Sequence, residues 1–376
     1  MTVTVSAYLD HNAGSPARPE VVAVVADILR EAGNPSSVHA AGRAARARLE
    51  AARTSVAGLV GAPAGGIIFT SGGTEANALA LKGCERPRMV ASAVEHPSVL
   101  AYATDIVPVD QDGIVDLAAL ERLLAESDQS AIVSVMLANN ETGVIQPVAE
   151  VARLAHRLGA LVHCDAAQGP GRLVVSMSDL DVDFLTLSAH KMGGLPGCGA
   201  LALKNPDFPM APFLLGGGQE RRRRSGSENL PGIVGFGVAA DDILRKDTIL
   251  EMSDLRDHLE SQALARVPAA RVVAQAALRL CNTTCLALPG VAAQLQVAAM
   301  DLAGLMVSAG SACSSGKVGE SHVLKAMGLA PEWAGSAIRV SLGPDTTKNE
   351  IELFLNAWTD LAGRKGLDVK QAAQAA

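Results

Sequence analysis

Between Ala64 and Lys204 the chain alternates short β-rich runs with helical ones, and no other feature constrains its fold as strongly. The runs "GIIFT" (66–70), "RMVAS" (88–92), "AIVSVML" (131–137), "ALVHCDA" (160–166), "DFLTLS" (183–188) and "GALALK" (199–204) read as strands. "TEANALALKG" (74–83), "DLAALERLLAES" (116–127) and "PVAEVARLAHRLG" (147–159) read as helices between them. Such alternation predicts an α/β fold with a mainly parallel central sheet covered by helices. The near-continuous apolar run 131–137 suits a central strand covered on both faces. After "GGGQERRRRSGSEN" (216–229) the texture changes to a helical segment over 230–259, shorter elements, two Gly/Ser-rich loops and an amphipathic helix near 348–363. A chain of 376 residues exceeds the roughly 250–300 at which one core stops growing. The expectation is a large domain over 14–250 and a smaller α/β domain made of 1–13 with 251–376.

Composition narrows the setting. The net charge of −7 comes with no basic face, which argues against direct nucleic-acid binding. No uninterrupted apolar run reaches the roughly 18 residues that span a bilayer, and "MTVTVSAYLDHN" lacks the charged and apolar regions of a signal peptide. Six scattered cysteines fit a reduced, cytoplasmic setting better than a disulfide framework. Cys281 and Cys285 lack a second pair or nearby histidines, so they read as structural thiols and no resident metal is expected.

The residues with chemistry sit at predicted strand ends, where ligands gather in open α/β sheets. "LTLSAHKMGGLPGCGAL" (185–201) puts Ser188, His190 and Lys191 between a strand and a glycine-rich turn. "VHCDAAQG" (162–169) ends a strand at Asp165, with Gln168 one turn on. "FTSGGTEANALAL" (69–81) runs from strand through Gly73 and Thr74 into a helix, whose first free N–H groups suit an anion. "VEHPSVL" supplies His96, an imidazole able to stack or to move protons, and "ANNETG" supplies Asn140. Each has an ordinary alternative: a surface lysine, a capping aspartate, an empty N-cap. Together a Schiff-base lysine, a carboxylate and an anion site form the minimal kit for pyridoxal phosphate.

At this point the sequence resembles the NifS/IscS-like cysteine desulfurases, in the class V aminotransferase group of fold-type I pyridoxal-phosphate enzymes. The likeness runs through "YLDHNAGSP", "GNPSSVHAAGR", "FTSGGTEANA", "EHPSV", "NNETGVIQPV", "HCDAAQ", "SAHKMGG", "GGGQE", "SAGSACSSG", "SHVLKAMG" and "IRVSLGPDTT", in order. It implies that Lys191 carries the cofactor, Asp165 pairs with the pyridine nitrogen, and His96 stacks on the ring. Gln168 and Asn140 would bond the ring hydroxyl region, and Gly73, Thr74, Ser188 and His190 the phosphate. Ser227 stands where the family usually has Thr and would reach the phosphate across a homodimer interface. Arg339 with Asn34 would take the substrate carboxylate. Ala13-Gly14-Ser15 replaces the common Ala-Thr-Thr, and Arg222 and Arg223 lie between the two arginines that match the family, Arg221 and Arg224.

The same resemblance gives a task to "SAGSACSSGK" (308–317), a segment of small and polar residues that offers Cys313 no packed interior. Cys313 would take sulfur from L-cysteine as a persulfide, leaving L-alanine, and pass it to an iron–sulfur scaffold protein or another sulfur acceptor. It is also the thiol to serve as a transient iron–sulfur ligand. A class V aminotransferase or selenocysteine lyase shares Lys191, Asp165 and Thr74 but has no need of this thiol. A sulfur-carrier subunit without catalysis would have dispensed with Lys191 or Asp165. Neither "GxxxxGK" nor "GxGxxG" follows a suitable strand, which disfavours a nucleotide enzyme.

Overall fold

A computed structural model describes residues 7–31, 33–246, 248–310 and 320–370. Its first strand, β1 (Ala7–Tyr8), is followed by the seven strands of the main sheet. These are β2 (Ile67–Thr70), β3 (Arg88–Ser92), β4 (Asp105–Val107), β5 (Ala131–Ser134), β6 (Leu161–Asp165), β7 (Phe184–Ser188) and β8 (Gly199–Leu203). The spatial order is β2-β8-β7-β6-β5-β3-β4. The pairs among β7, β6, β5, β3 and β4 are parallel, while β8 runs antiparallel to β7 and β2. The reversal follows from connection length. Only the turn 189–198 separates β7 from β8, too short for the helical crossover a parallel neighbour needs.

The run 131–137 is only partly ladder. β5 ends at Ser134, although the N–H groups of Val135 and Leu137 still donate to His163 and Asp165 of β6. Aliphatic clusters cover both faces of the sheet, one around Val133, Val162 and Leu185, the other around Ile68, Ile132 and Phe184. Two helices absent from the sequence reading, Pro19–Ile28 and Ala40–Val60, pack beside the helix Leu230–Arg245. A Cβ at Gly237 would stand 2.7 Å from Ala52 Cα, so only glycine permits this approach.

The helical segment expected over 230–259 is two helices, Leu230–Arg245 and Ile249–Arg266. They belong to different cores. Ile233, Phe236 and Ala240 pack under the main sheet, whereas Leu259 and Ala263 join a second core around Phe354 and Trp358. Between them Lys246 is extended (φ −114°, ψ 116°). The second core is built on β9 (Arg271–Val272), β10 (Thr283–Ala287), β11 (Leu305–Met306), β12 (Ser308–Ala309) and β13 (Ala337–Ser341). The antiparallel order is β12-β13-β10-β9, while β11 pairs in parallel with β1. The helix Lys348–Arg364 closes this core behind a Thr347/Glu350 capping box. Among the described residues no helix is long and apolar enough to cross a membrane.

Candidate active site

A cavity of about 330 Å³ opens where the ends of β6 and β7 meet the start of the helix Gly73–Gly83 and the segment after β1. Ten of the expected residues line it: Gly73, Thr74, His96, Asn140, Asp165, Gln168, Ser188, His190, Lys191 and Arg339. Parallel register explains part of this. Asp165 faces Thr186 across β6 and β7, and Ser188, two residues on, ends its strand. Asp165 and Cys164 point to opposite faces, as strand alternation requires. Cys164 packs in the aliphatic core, where burial pushes its thiol well up.

Lys191 ends a short turn after β7, and its Nζ donates to the carbonyls of Asn12 (2.6 Å) and Ala13 (2.8 Å). The Asp165 carboxylate accepts from Asn77 Nδ2 (2.7 Å) and from the Ala167 N–H (3.0 Å). The helix Gly73–Gly83 begins at the cavity wall, so its first N–H groups and the positive end of its dipole form an anion site beside Thr74 and Ser188. His190 Nδ1 lies 3.1 Å from Ser188 Oγ. Burial, then the charges of Lys191 and Arg172, push His190 down to about 4, so this imidazole is neutral at pH 7. His96 caps the short helix Pro97–Leu100, and burial holds it below its ordinary pKa.

The opposite wall comes from the second core. Arg339 of β13 donates to the Asn140 carbonyl (3.0 Å) and pairs with Asp10 (2.6 Å), while its Nε is buried without a partner among the described residues. Asn12 bonds Thr283 Oγ1 and the Asn140 carbonyl, and its own carbonyl receives Gln168 Nε2. Next to Asn140, Glu141 is buried. Burial raises its carboxyl to about 7, against the opposing hydrogen bond from Ser321 Oγ (2.5 Å) and the Arg339 charge. A Cβ at Gly310 would overlap the Glu141 carboxyl.

Two expected residues lie off the cavity wall. Asn34 is exposed, its Oδ1 accepting from the Ser36 N–H, and Ser227 is exposed beyond the Arg224–Glu75 ion pair (2.8 Å). Cys313 lies outside the described residues. Sequence reasoning missed Asn12, Asn77 and Ser98, all on the cavity wall. Asn77 carried a signal, because it follows Thr74 by three residues and so shares its helix face.

The donor set fits pyridoxal phosphate. An amine and a carboxylate share one cavity with a helix N-terminus flanked by hydroxyls, and the carboxylate is held in place by an amide. A phosphorylated pyridine aldehyde needs those three groups. An α/β enzyme built around that cofactor is thereby defined. The chain belongs to the class-V aminotransferase family, whose model matches residues 7–354, and within it to the pyridoxal-phosphate-dependent cysteine desulfurases. It is 44% identical over 365 residues to a cysteine desulfurase of Cereibacter sphaeroides, covering 93% of each chain. To the cysteine desulfurase of Enterobacter agglomerans it is 38% identical, over 95% of this chain and 92% of the other. The X-ray structure of a NifS-like protein from Rickettsia africae superposes with a TM-score of 0.87 at 37% identity, covering 95% of this chain and 99% of that one.

Proposed function

We propose that the enzyme takes the sulfur of L-cysteine onto Cys313 as a persulfide, releases L-alanine, and hands the sulfur to a scaffold protein of iron–sulfur assembly or another acceptor. The observation that carries this reading is the meeting of Lys191, Asp165 and the Gly73–Gly83 helix start in one cavity. Bound there, pyridoxal phosphate supplies an electron sink for the Cα–H bond that must break. Lys191 is the point of attachment and then the amine that moves the substrate's α-proton. Asp165, fixed by Asn77 and Ala167, would pair with the pyridine nitrogen and keep it protonated. Thr74, Gly73, Ser188 and His190 would hold the phosphate, and Gln168 and Asn140 the ring hydroxyl region. His96 would stack on the ring. Arg339, with Asn34 on resemblance, receives the substrate carboxylate.

The Cys313 thiolate attacks the substrate sulfur. The carbon–sulfur bond breaks with its electrons on carbon, and a proton added there completes the methyl group of alanine. Thiol plus cysteine thus becomes persulfide plus alanine, and no external oxidant is needed. We read the two cores as domains over 14–250 and over 1–13 with 251–376. A cytoplasmic homodimer completes the reading. The homodimer is supported by the exposed run Phe213–Leu215, with Leu215 at 85% exposure, and by the exposure of Ser227, which the resemblance assigns to a partner's phosphate site.

The test is purified enzyme with L-cysteine and dithiothreitol, beside Cys313→Ala. Equal alanine and sulfide are expected, lost in the variant while cysteine still perturbs the cofactor absorbance. A keto acid without sulfide would sink the reading.

A further inference from the structure

His96 first stands out as a candidate acid or base, but its contacts restrict what it can do. Its Nδ1 accepts from the Ser98 N–H at 3.2 Å and lies 2.7 Å from Ser98 Oγ. Ser98 Oγ in turn accepts from Asn77 Nδ2 at 2.9 Å, and the same Nδ2 donates to Asp165 Oδ2 at 2.7 Å. An amide nitrogen carries two hydrogens, so both bonds form at once. Ser98 Oγ keeps a second lone pair, so the direction is set by the Ser98 backbone N–H, which can only donate to Nδ1. That nitrogen is therefore an acceptor and carries no proton, and the Ser98 hydroxyl, held by Asn77, can donate to it as well. In a neutral imidazole the ring proton must therefore sit on Nε2. The ring is kept neutral by burial first. Lys191 and His322 push the same way, and Asp165, the remaining charged group that faces it, opposes them.

We infer that Asn77 and Ser98 are positioning residues that hold His96 as the Nε2–H tautomer, so that His96 serves the reaction as a hydrogen-bond donor and not as a base. The inference rests on the assignment of His96 to the desulfurase site proposed above. It makes one amide nitrogen the common reference for two groups, the carboxylate facing the pyridine nitrogen and the imidazole beside the ring. A donor at Nε2 stabilises a developing thiolate without removing its proton. The proton of an attacking or departing thiol must then pass to another group.

The experiment is a ¹H–¹⁵N spectrum of holoenzyme labelled with [¹⁵N]histidine, His96 being assigned by its loss in His96→Ala. An unprotonated Nδ1, a protonated Nε2 and no titration near the ordinary value of about 6.5 are expected. In Asn77→Ala, which frees the Ser98 hydroxyl to accept from the ring, the Nδ1–H form should grow, and Ser98→Ala should do the same more weakly, because it leaves an Nδ1–H no hydroxyl to donate to. In turnover, His96→Gln, which keeps a donor, should retain far more kcat than His96→Ala, whose loss is expected at about a hundredfold. An Nδ1–H ring in the parent, or a ring that titrates near its ordinary value, overturns the inference alone. Unchanged turnover in His96→Ala overturns the role of His96 on which it rests.

Discussion

The two walls of the cavity are built in different ways. On the sheet wall, Asp165, Ser188 and Lys191 are delivered by neighbouring strand ends, so register alone brings them together. On the facing wall, Asn12, Asn140 and Arg339 come from three distant stretches, held by ties such as Arg339–Asp10 and Asn12–Thr283. The sheet wall owes its geometry to backbone that folds for its own reasons. The facing wall owes its geometry to side chains whose loss would loosen the structure itself. Chemistry and stability should therefore separate by wall.

Lys191→Ala should show the separation most plainly, with kcat falling by about a thousandfold or more and the unfolding midpoint of the cofactor-free protein hardly moving. Arg339→Ala should do the reverse in kind. It leaves Asp10 unpaired beside a buried site, and breaking such a pair costs about 3–5 kcal/mol. Denaturant unfolding should record that loss, and the KM for cysteine should rise with it. Equal stability losses in the two variants would erase the contrast.

Glu141 sharpens the comparison through pH. Its folded pKa of about 7 lies above the roughly 4.3 of an unfolded chain, so the native state holds the extra proton. That contribution to stability is full below about pH 4.3, declines as pH rises, and is gone once pH passes the folded value near 7. The difference in unfolding free energy between the parent and Glu141→Gln, measured from pH 5 to 8, should decline as pH rises and level off above about 7, because the buried neutral histidines such as His190 contribute equally to both. A smaller effect belongs to the segment beneath the sheet wall. Arg222 sits at φ +66°, in a left-handed run with Glu220 and Arg221. Arg222→Gly should stabilise by about 0.5–1 kcal/mol, the strain relieved less the entropy glycine adds to the unfolded chain; an unchanged or lower midpoint would refute this.

The same contrast explains what could be read in advance. Strand ends announce themselves by local pattern, so Asp165, Lys191 and the helix start at Gly73 were legible, as was the mainly parallel sheet. The reversal of β8 was not, because its cause is a loop length weighed against crossover geometry. The break at Lys246 was hidden for another reason. Both flanking helices have unbroken helical spacing, and only their commitment to separate cores parts them. Ala40–Val60, rich in Ala and Arg, carries too weak an apolar stripe to stand out. Asn12 was invisible because nothing local connects it to Thr283 or to Gln168.

The pairing of β1 with β11 joins residues about 300 apart in the chain, Ala7 with Leu305. At the ribosome's pace of about 5–20 residues per second, the first strand waits roughly 15–60 s for its partner to be synthesised. Asn12 and Ala13, whose carbonyls receive the Lys191 amine, lie just beyond that strand. Translation thus finishes the sheet wall early and leaves the enzyme catalytically incomplete until the far end of the chain emerges. A nascent chain stalled before residue 305 would have the backbone of its lysine in place and still lack the fixed carbonyls that receive the amine.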